Sequence, residues 1–276
     1  MNATTPVLVA YDGSDDADLA LAWAATEAAR SSHPLRILHV EEIPRAPWDA
    51  SGLRPSRAEL KHRAELVLAQ TGHAGALEYC TGNVVGQLLE QAESAELLVV
   101  GSQGHDRTGE VFLGSVSQHL VRHAACTVVV VRRPRSADAR RIIVGVDGSA
   151  GSSRALEYAC RRAELTGEVV VAVHAWRDPA VSSEVWSATA REVEGLEERG
   201  RLLAESVAGV RADHPDVALE QEVIPVAPAR CLADASARAS LVVLGSRGLG
   251  FFSGLLLGSV SQAVLHRAEC PVAVVR

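Results

Sequence analysis

The sequence predicts an α/β fold of two repeated, doubly wound domains, each a five-stranded parallel sheet flanked by helices. Three observations predict it. The second half of the chain repeats the first, short apolar runs alternate with longer amphipathic segments, and one glycine pattern follows the fourth apolar run of each half. Strands that alternate with helices form right-handed βαβ units, which assemble into a parallel sheet with helices on both faces.

The repeat runs through the whole chain. The segment 7–14 returns at 142–149 and ends on Asp-Gly-Ser both times. Residues 114–132 match residues 258–276 at 11 of 19 positions. A period this long indicates a duplicated domain and not a solenoid of short repeats.

The length and the linker agree with two domains. A chain of 276 residues fits two domains at about 150 residues each. The stretch 133–139 is polar and contains one proline, which is typical of a domain boundary. We therefore expect one domain over residues 1–135 and a second over residues 139–276.

The first half predicts five strands and four helices in alternation. Its strand runs are continuously apolar and β-branched, as at 97–100 and 128–131, which is the pattern of parallel strands buried on both faces. The longer segments between them have apolar residues at helical spacing. In order, we predict a strand near 7–11, a helix near 16–31, a strand near 35–40, a helix near 56–71, a strand near 75–81, a helix near 83–94, a strand near 97–101, a helix near 115–123 and a strand near 127–131.

The second half predicts the same order of elements. It has about nine more residues than the first half, which we place in its long central helix. In order, we predict a strand near 141–146, a helix near 151–166, a strand near 168–174, a helix near 184–213, a strand near 217–224, a helix near 228–239, a strand near 241–245, a helix near 259–268 and a strand near 272–275.

Composition excludes several classes of function. The 27 basic and 34 acidic residues give a net charge of −7, which argues against a nucleic-acid surface. The N-terminus has no secretory leader pattern and no apolar stretch reaches membrane-spanning length, so we expect a cytoplasmic protein without a membrane partner. Five cysteines without a C-x-x-C pair predict neither a disulfide framework nor a zinc site. Lys61 is the single lysine, and no P-loop signature is present.

Glycines at one repeated spacing follow the fourth strand of each half. The pattern G-x-x-G, nine residues and then G-S consists of Gly101, Gly104, Gly114 and Ser115 in the first half and of Gly245, Gly248, Gly258 and Ser259 in the second. Glycine permits positive φ and lets backbone N–H groups approach an anion closely, and each serine opens a helix. The pattern predicts a phosphate site at the carboxyl ends of the strands. The alternative is a tight turn followed by a serine helix cap.

Two further residue types repeat near the same sheet edge. Asp12 and Asp147 end the first strand of each half, where a carboxylate can face a ribose hydroxyl or a phosphate-bound metal. The alternative is an Asp-Gly-Ser turn in which the aspartate caps the next helix. His39 and His174 stand near the end of the second strand, where a general base is one interpretation. A hydrogen-bonded histidine at a strand end is the interpretation that we favour.

Over essentially its whole length, the chain resembles a tandem universal stress protein of the ATP-binding type. The resemblance implies that each half has the adenine-nucleotide α-hydrolase-like fold and binds ATP, with Mg²⁺ on the phosphates. The site that it implies in the first half consists of Asp12, Val40, Gly101, Gly104, Gly114, Ser115, Val116 and Ser117. The site that it implies in the second half consists of Asp147, Ala175, Gly245, Gly248, Gly258, Ser259, Val260 and Ser261. The backbone of Val40 and of Ala175 would read the adenine edge.

The two halves depart from the pattern in different ways. Arg247 lies between the glycines of the second half and can reach a phosphate, whereas its counterpart is Gln103. Asp106 or Glu110, in the nine-residue stretch of the first half, would repel a triphosphate if it turned inward and no metal ion intervened. The second half lacks the glycine that Gly82 provides after the third strand of the first. In the second half, the nine-residue stretch between the glycines, 249–257, is largely apolar, so we expect it to pack on another domain or subunit.

The resemblance implies a stress-response regulator that changes shape or partners when it binds ATP. It also implies that the last strands pair across a two-fold axis, either in a homodimer or as a pseudo-dimer within one chain. A weak ATP hydrolase or nucleotidyl transferase is one alternative, and a scaffold with empty pockets is another. We assign no catalytic residue and no metal-ligand set from the sequence, so at most slow ATP hydrolysis is expected.

Overall fold

The structure is a computed structural model that describes residues 5–42, 55–104, 113–136, 138–177, 190–250 and 256–276. The chain divides into two compact units. The first unit is Met1–Arg133 and the second unit is Pro134–Arg276.

The described residues of the first unit form a parallel five-stranded sheet with four helices. Its elements are β1 (Val7–Ala10), α1 (Asp15–Ser31), β2 (Leu35–Glu41), α2 (Arg57–Thr71), β3 (Leu77–Thr81), α3 (Val84–Ala92), β4 (Leu97–Gly101), α4 (Ser115–His123) and β5 (Thr127–Val131). The strand order is β3-β2-β1-β4-β5, and every pair is parallel. The order reverses between β1 and β4, so the carboxyl ends of these two strands form the switch point where ligands bind in such sheets.

The second unit repeats this arrangement. Its elements are β6 (Arg141–Gly145), α5 (Ala150–Thr166), β7 (Val169–Ala175), α6 (Ala190–Asp213), β8 (Leu219–Ile224), α7 (Pro228–Ser236), β9 (Leu241–Gly245), α8 (Ser259–Arg267) and β10 (Val272–Val275). The strand order is β8-β7-β6-β9-β10, again parallel throughout. The predicted fold class is therefore confirmed. The predicted start of the long helix, residues 184–189, lies outside the described residues.

Buried strands and small helix residues build the core of each unit. In β4, Leu97–Val100 are at most 4% exposed, and in β9 the four residues 241–244 are at most 3% exposed. Because both faces of these strands are covered, the runs are continuously apolar. The face of α1 that packs against the sheet is rich in alanine, which lets the helix approach the strands closely. The arrangement fixes both ends of each strand relative to the helices that follow.

Two expectations from the composition concern the cysteines and membrane-spanning helices. None of the five cysteines, which all lie in the described ranges, forms a disulfide, and Cys160, Cys231 and Cys270 are buried. Within the described ranges, none of the helices is both long enough and apolar enough to cross a membrane.

Candidate functional site

The Asp-Gly-Ser segment after β1 is a turn that starts α1. Gly13 has a φ of +82°, a conformation that favours glycine. The N–H of Ser14 donates to Oδ1 of Asp12 at 2.9 Å, and Oγ of Ser14 accepts from the N–H of Ala17 at 3.2 Å. The helix cap is therefore the serine, and the aspartate holds the turn in front of it.

The second unit forms the same turn after β6. Gly148 has a φ of +83°, and the N–H of Ser149 donates to Oδ1 of Asp147 at 3.0 Å. The cap of α5 is Ser149, whose Oγ accepts from the N–H of Ser152 at 3.2 Å. Turn and cap thus account for one oxygen of each aspartate.

The other oxygen of each aspartate faces the glycine loop, by which we mean residues 101–104 in the first unit and residues 245–248 in the second. A Cβ added to Gly104 would lie 2.9 Å from Oδ2 of Asp12, and one added to Gly248 would lie 2.2 Å from Oδ2 of Asp147. Oδ2 of Asp147 also accepts the N–H of Leu249 at 3.1 Å. The aspartate and the last loop glycine are thus in contact in both units.

The Asp147 carboxyl is ionised more readily than an ordinary one. Burial alone would raise its pKa, but hydrogen bonds from Ser149, from Ser152 and from the backbone of Leu249 favour the carboxylate. The net effect lowers the pKa of Asp147 below its ordinary value. A fixed negative charge therefore stands behind the glycine loop of the second unit.

The first glycine of each loop allows the strand end to touch a helix backbone. A Cβ on Gly101 would lie 2.9 Å from the carbonyl oxygen of Asp16, and one on Gly245 would lie 2.6 Å from the carbonyl carbon of Gly151. None of the six motif glycines is among the described glycines with positive φ. The sequence pattern suggested conformational freedom at these positions, but the structure uses the missing Cβ.

Gly114 and Gly258 close the nine-residue stretches and start helices. The N–H of Gly114 donates to the carbonyl of Ser102 at 2.8 Å, and the N–H of Gly258 donates to the carbonyl of Ser246 at 2.8 Å. Each glycine is the N-cap residue of its helix, and neither α4 nor α8 has a side-chain cap. The serines that follow are the first helical residues and not the caps.

The residues that open α4 and α8 have matching environments. Ser115 and Ser259 are exposed, whereas Val116 and Val260 are partly buried. The hydroxyl of Ser117 donates to the carbonyl of Gly101 at 2.8 Å, and the hydroxyl of Ser261 donates to the carbonyl of Gly245 at the same distance. These buried serines fasten the helix start to the strand end, so their hydroxyls already have an acceptor.

Val40 and Ala175 remain paired with β3 and β8, but they lie past the last residues that pair with β1 and β6. The described pairing of β1 with β2 ends at Ala10 and Leu38, and Val40 is two residues further along. The peptide groups of alternate residues in a parallel strand face the same neighbour, so those of Val40 face the side of β1, beyond its last residue. Ala175 stands in the same relation to Gly145 and Val173, the last pair of β6 and β7.

The two histidines explain why the strands part at this point. Nδ1 of His39 lies 2.8 Å from the carbonyl oxygen of Tyr11, and Nδ1 of His174 lies 2.8 Å from that of Val146. A carbonyl can only accept, so Nδ1 carries the proton in both rings. Each imidazole thus takes the carbonyl that the next ladder hydrogen bond would use. The interpretation as hydrogen-bonded histidines at a strand end is confirmed.

The sequence analysis missed one residue that lies against the glycine loop. Oδ2 of Asp16 accepts the hydroxyl of Ser102 and the N–H of Gln103, the latter at 2.9 Å. The corresponding residue of the second unit is Gly151. A comparison of the two Asp-Gly-Ser segments, two residues past each serine, would have shown the difference.

Some expectations fall on residues outside the description. Asp106, Glu110 and residues 251–255 are among them. Leu249 and Leu256, on either side of the latter, are 61% and 48% exposed. Arg247 is exposed as well, and it makes no ion pair with any described residue.

The donor set does not form a metal cage. Within the described ranges, no group of three or more histidine, cysteine, aspartate or glutamate side chains could hold a metal ion. Of the residues predicted from the sequence, one aspartate per unit, Asp12 or Asp147, stands at the switch point. Mg²⁺ is commonly held by one or two carboxylates together with the phosphates of a nucleotide, so a single carboxylate fits an ion that arrives with its ligand.

Comparison with known proteins gives one family. The model of the universal stress protein family matches residues 4–132 and 139–276. A universal stress protein of Mycobacterium tuberculosis is 36% identical over 98% of this chain and 96% of its own, and another is 35% identical over 100% and 97%. A solved universal stress protein from Archaeoglobus fulgidus has a TM-score of 0.69 at 18% identity and covers 100% of this chain and 99% of its own, which shows the shared fold.

Proposed function

Because this chain belongs to the universal stress protein family, we propose that it binds ATP, carried with Mg²⁺, at the switch point of one or both sheets. In this proposal it is a nucleotide-dependent stress-response regulator that acts through a change of shape or partners. The site residues are those named above around Asp12 in the first unit and around Asp147 in the second.

The observation that carries the proposal is the start of α4 and of α8. Helices α1, α2, α3 and α5 begin under side-chain caps from serine or asparagine. In contrast, α4 and α8 begin on glycine without such a cap, at the end of the nine-residue stretch that follows each glycine loop. Helix α7 also lacks a side-chain cap, but Pro228 in its first turn has no N–H that needs an acceptor. The first amides of a helix need acceptors, and the helix dipole favours a negative charge there. A phosphate meets both needs without a lysine.

Backbone groups of Val40 and of Ala175 can bind the adenine end of the nucleotide. The peptide groups of Val40 and of Ala175 lie past the last β1–β2 and β6–β7 pairs, and each offers one donor and one acceptor on that side of the strand. The edge of adenine carries an acceptor nitrogen beside an amino donor, so a backbone group of this kind can read it. Because such reading does not depend on the number of phosphates, ADP and AMP also fit the adenine end.

Mg²⁺ bound with the nucleotide would neutralise part of the phosphate charge. Asp12 or Asp147 would hold it or orient its water, while the phosphates supply the remaining ligands. The lowered pKa of Asp147 keeps that carboxylate charged. The chain's own part is to bind and orient the nucleotide.

The groups near the site give little support to fast chemistry. The Nδ1 atoms of His39 and His174 are held by main-chain carbonyls, so no carboxylate orients either ring through that nitrogen. We therefore propose a binding protein with at most slow ATP hydrolysis. A homodimer or pseudo-dimer belongs to the same proposal and is tested by the mass of the protein in solution.

The first experiment identifies the nucleotide that co-purifies with the protein. Freshly purified chain is denatured, and the released nucleotide is identified by chromatography and mass and counted per chain. Two variants then locate it, Gly114→Asp and Gly258→Asp. Alanine at the same two positions is the steric control, because a Cβ there meets nothing closer than 3.4 Å.

Aspartate at these positions separates binding from folding. It is a somewhat better N-cap residue than glycine, so it is expected to stabilise α4 or α8 by about a few tenths of a kcal/mol. The same carboxylate takes the free amides and repels phosphate. ATP is thus expected to be lost from a chain that melts at an unchanged or higher temperature. If no nucleotide is released and added Mg-ATP does not bind in titration, the chain is a scaffold with empty pockets.

A further inference from the structure

We propose that the two units differ in the ligand that they accept, and that Asp16 excludes phosphate from the first unit. The second unit binds the phosphates of ATP, whereas the first unit accepts the uncharged nucleoside. This inference rests on the proposed function and adds to it the assignment of phosphate binding to one unit. It comes from a difference between two loops that are otherwise alike.

In the first unit, a carboxylate of the chain itself occupies the glycine loop. Oδ2 of Asp16 accepts the N–H of Gln103 at 2.9 Å and also the hydroxyl of Ser102. Backbone amides of a glycine loop are the donors that hold a phosphate in sites of this kind. The carboxylate thus stands where a phosphate oxygen would otherwise find its donors.

In the second unit, the corresponding place contains backbone only. Gly151 replaces the aspartate, and a Cβ on it would lie 2.4 Å from the carbonyl oxygen of Arg247. No side chain fits between this helix and the loop. The N–H of Arg247, which corresponds to that of Gln103, has no acceptor in the part of the chain that the structure describes.

The charges of the two loops point the same way. Asp12 and Asp16 place two carboxylates beside the first loop. Among the described residues, the second loop has one, Asp147, and also the exposed guanidinium of Arg247. The two carboxylates of the first unit repel a polyphosphate, because like charges at short range raise the free energy of the bound state. In the second unit the positive charge of Arg247 offsets the repulsion from Asp147. The backbone that would read adenine lies past the last β1–β2 or β6–β7 pair in the same way in both units, so a nucleoside without phosphates is not affected.

The experiment counts bound ligand per chain by calorimetric titration with Mg-ATP and, separately, with adenosine. The wild-type chain is expected to bind one ATP, and Gly258→Asp is expected to abolish that binding. Asp16→Gly, which installs the residue of the second unit, is expected to raise the count to two. Asp15→Asn is the matched control, because Asp15 is exposed, is the adjacent carboxylate and pairs with Arg63 at the surface.

Asp16→Asn separates charge from occupancy. Asparagine can still accept from the Gln103 amide, so ATP binding in the first unit is expected to stay at least about tenfold weaker than in Asp16→Gly. Adenosine is expected to bind at two sites in the wild-type chain. Thermal midpoints of all variants show that they are folded.

The outcomes distinguish a failure of the exclusion of phosphate by Asp16 from a failure of the proposed ATP binding. Two ATP per wild-type chain, or ATP binding that survives Gly258→Asp, overturns the exclusion of phosphate from the first unit. A count of one in folded Asp16→Gly overturns the role of Asp16 and leaves the proposed function in place. Absence of ATP binding from the wild-type chain and from every variant overturns the proposed function itself. Should Asp16→Gly not fold, the first two measurements on the wild-type chain and on Gly258→Asp still decide.

Discussion

Replacement of Gly248 by alanine tests how tightly the glycine loop is packed against Asp147. The new methyl group would lie 2.2 Å from Oδ2 of Asp147 and 3.4 Å from its Cγ. The first of these distances is too short for two nonbonded atoms, so either the glycine loop or the Asp147 carboxylate has to move. The same oxygen accepts the N–H of Leu249 at 3.1 Å, and this hydrogen bond lengthens or breaks when the loop moves.

The expected cost follows from two effects that overlap. An extra methyl group in a closely packed place costs about 1–3 kcal/mol, and loss of a hydrogen bond to a charged group costs about 1.5–3 kcal/mol. One displacement relieves the clash and breaks the bond, so the two figures do not add. We expect the free energy of unfolding of the second unit to fall by about 2 kcal/mol, which lowers its Tm by about 6 °C.

The assay is urea unfolding followed by circular dichroism, with the two units fitted as separate transitions. Gly250→Ala is the matched control, because a Cβ there meets nothing within 4 Å and its free energy of unfolding is expected to change by less than about 0.5 kcal/mol. In Gly104→Ala the new Cβ would lie 2.9 Å from Oδ2 of Asp12, so its loss of unfolding free energy is expected to lie between those of the other two variants. Equal stability of Gly248→Ala and Gly250→Ala would refute the packing argument.

The pH dependence provides a second readout of the same contact. The pKa of Asp147 is lowered in the folded chain, so its contribution to stability is present above the ordinary pKa of an aspartate. That contribution is lost as the pH falls through the folded value. Gly248→Ala weakens one of the hydrogen bonds responsible, so the variant is expected to lose less stability on acidification than the wild-type chain.

Three other predictions concern the same unit. Nδ1 of His214 lies 2.7 Å from a carboxylate oxygen of Glu164, and this hydrogen bond raises the pKa of His214. The contribution of His214 to stability is therefore full below the ordinary histidine pKa and is lost as the pH rises through the raised value. His214→Gln is expected to remove this pH dependence in thermal melts. His174→Phe leaves the carbonyl of Val146 without its donor, which is expected to cost about 1–3 kcal/mol in urea unfolding and to weaken adenosine binding in titration. Ser261→Ala removes a 2.8 Å hydrogen bond to the end of β9 and is expected to cost about 1 kcal/mol while exposed Ser259→Ala costs little, a difference that urea unfolding of both variants measures.

The sequence determined the fold class and the order of its elements. Alternation of apolar runs with amphipathic segments is a local property, so strands such as β4 and helices such as α4 could be placed to within a few residues. The repeat then assigned the same topology to both halves. The sequence also offered the Asp-Gly-Ser turn as one of two interpretations of this segment, and the structure contains that turn, with a positive φ at Gly13.

Only the tertiary structure decided how the repeated motifs are used. The distance from Gly248 to Asp147 and the contact of Gly245 with Gly151 join segments about 100 residues apart, and no periodicity in the sequence reports such contacts. The sequence predicted that His39 and His174 were equivalent, but their hydrogen bonds to the ends of β1 and β6 depend on the pairing of whole strands. Asp16 is the sharpest case, because an acidic residue in the first turn of a helix is ordinary until the fold brings the glycine loop against it.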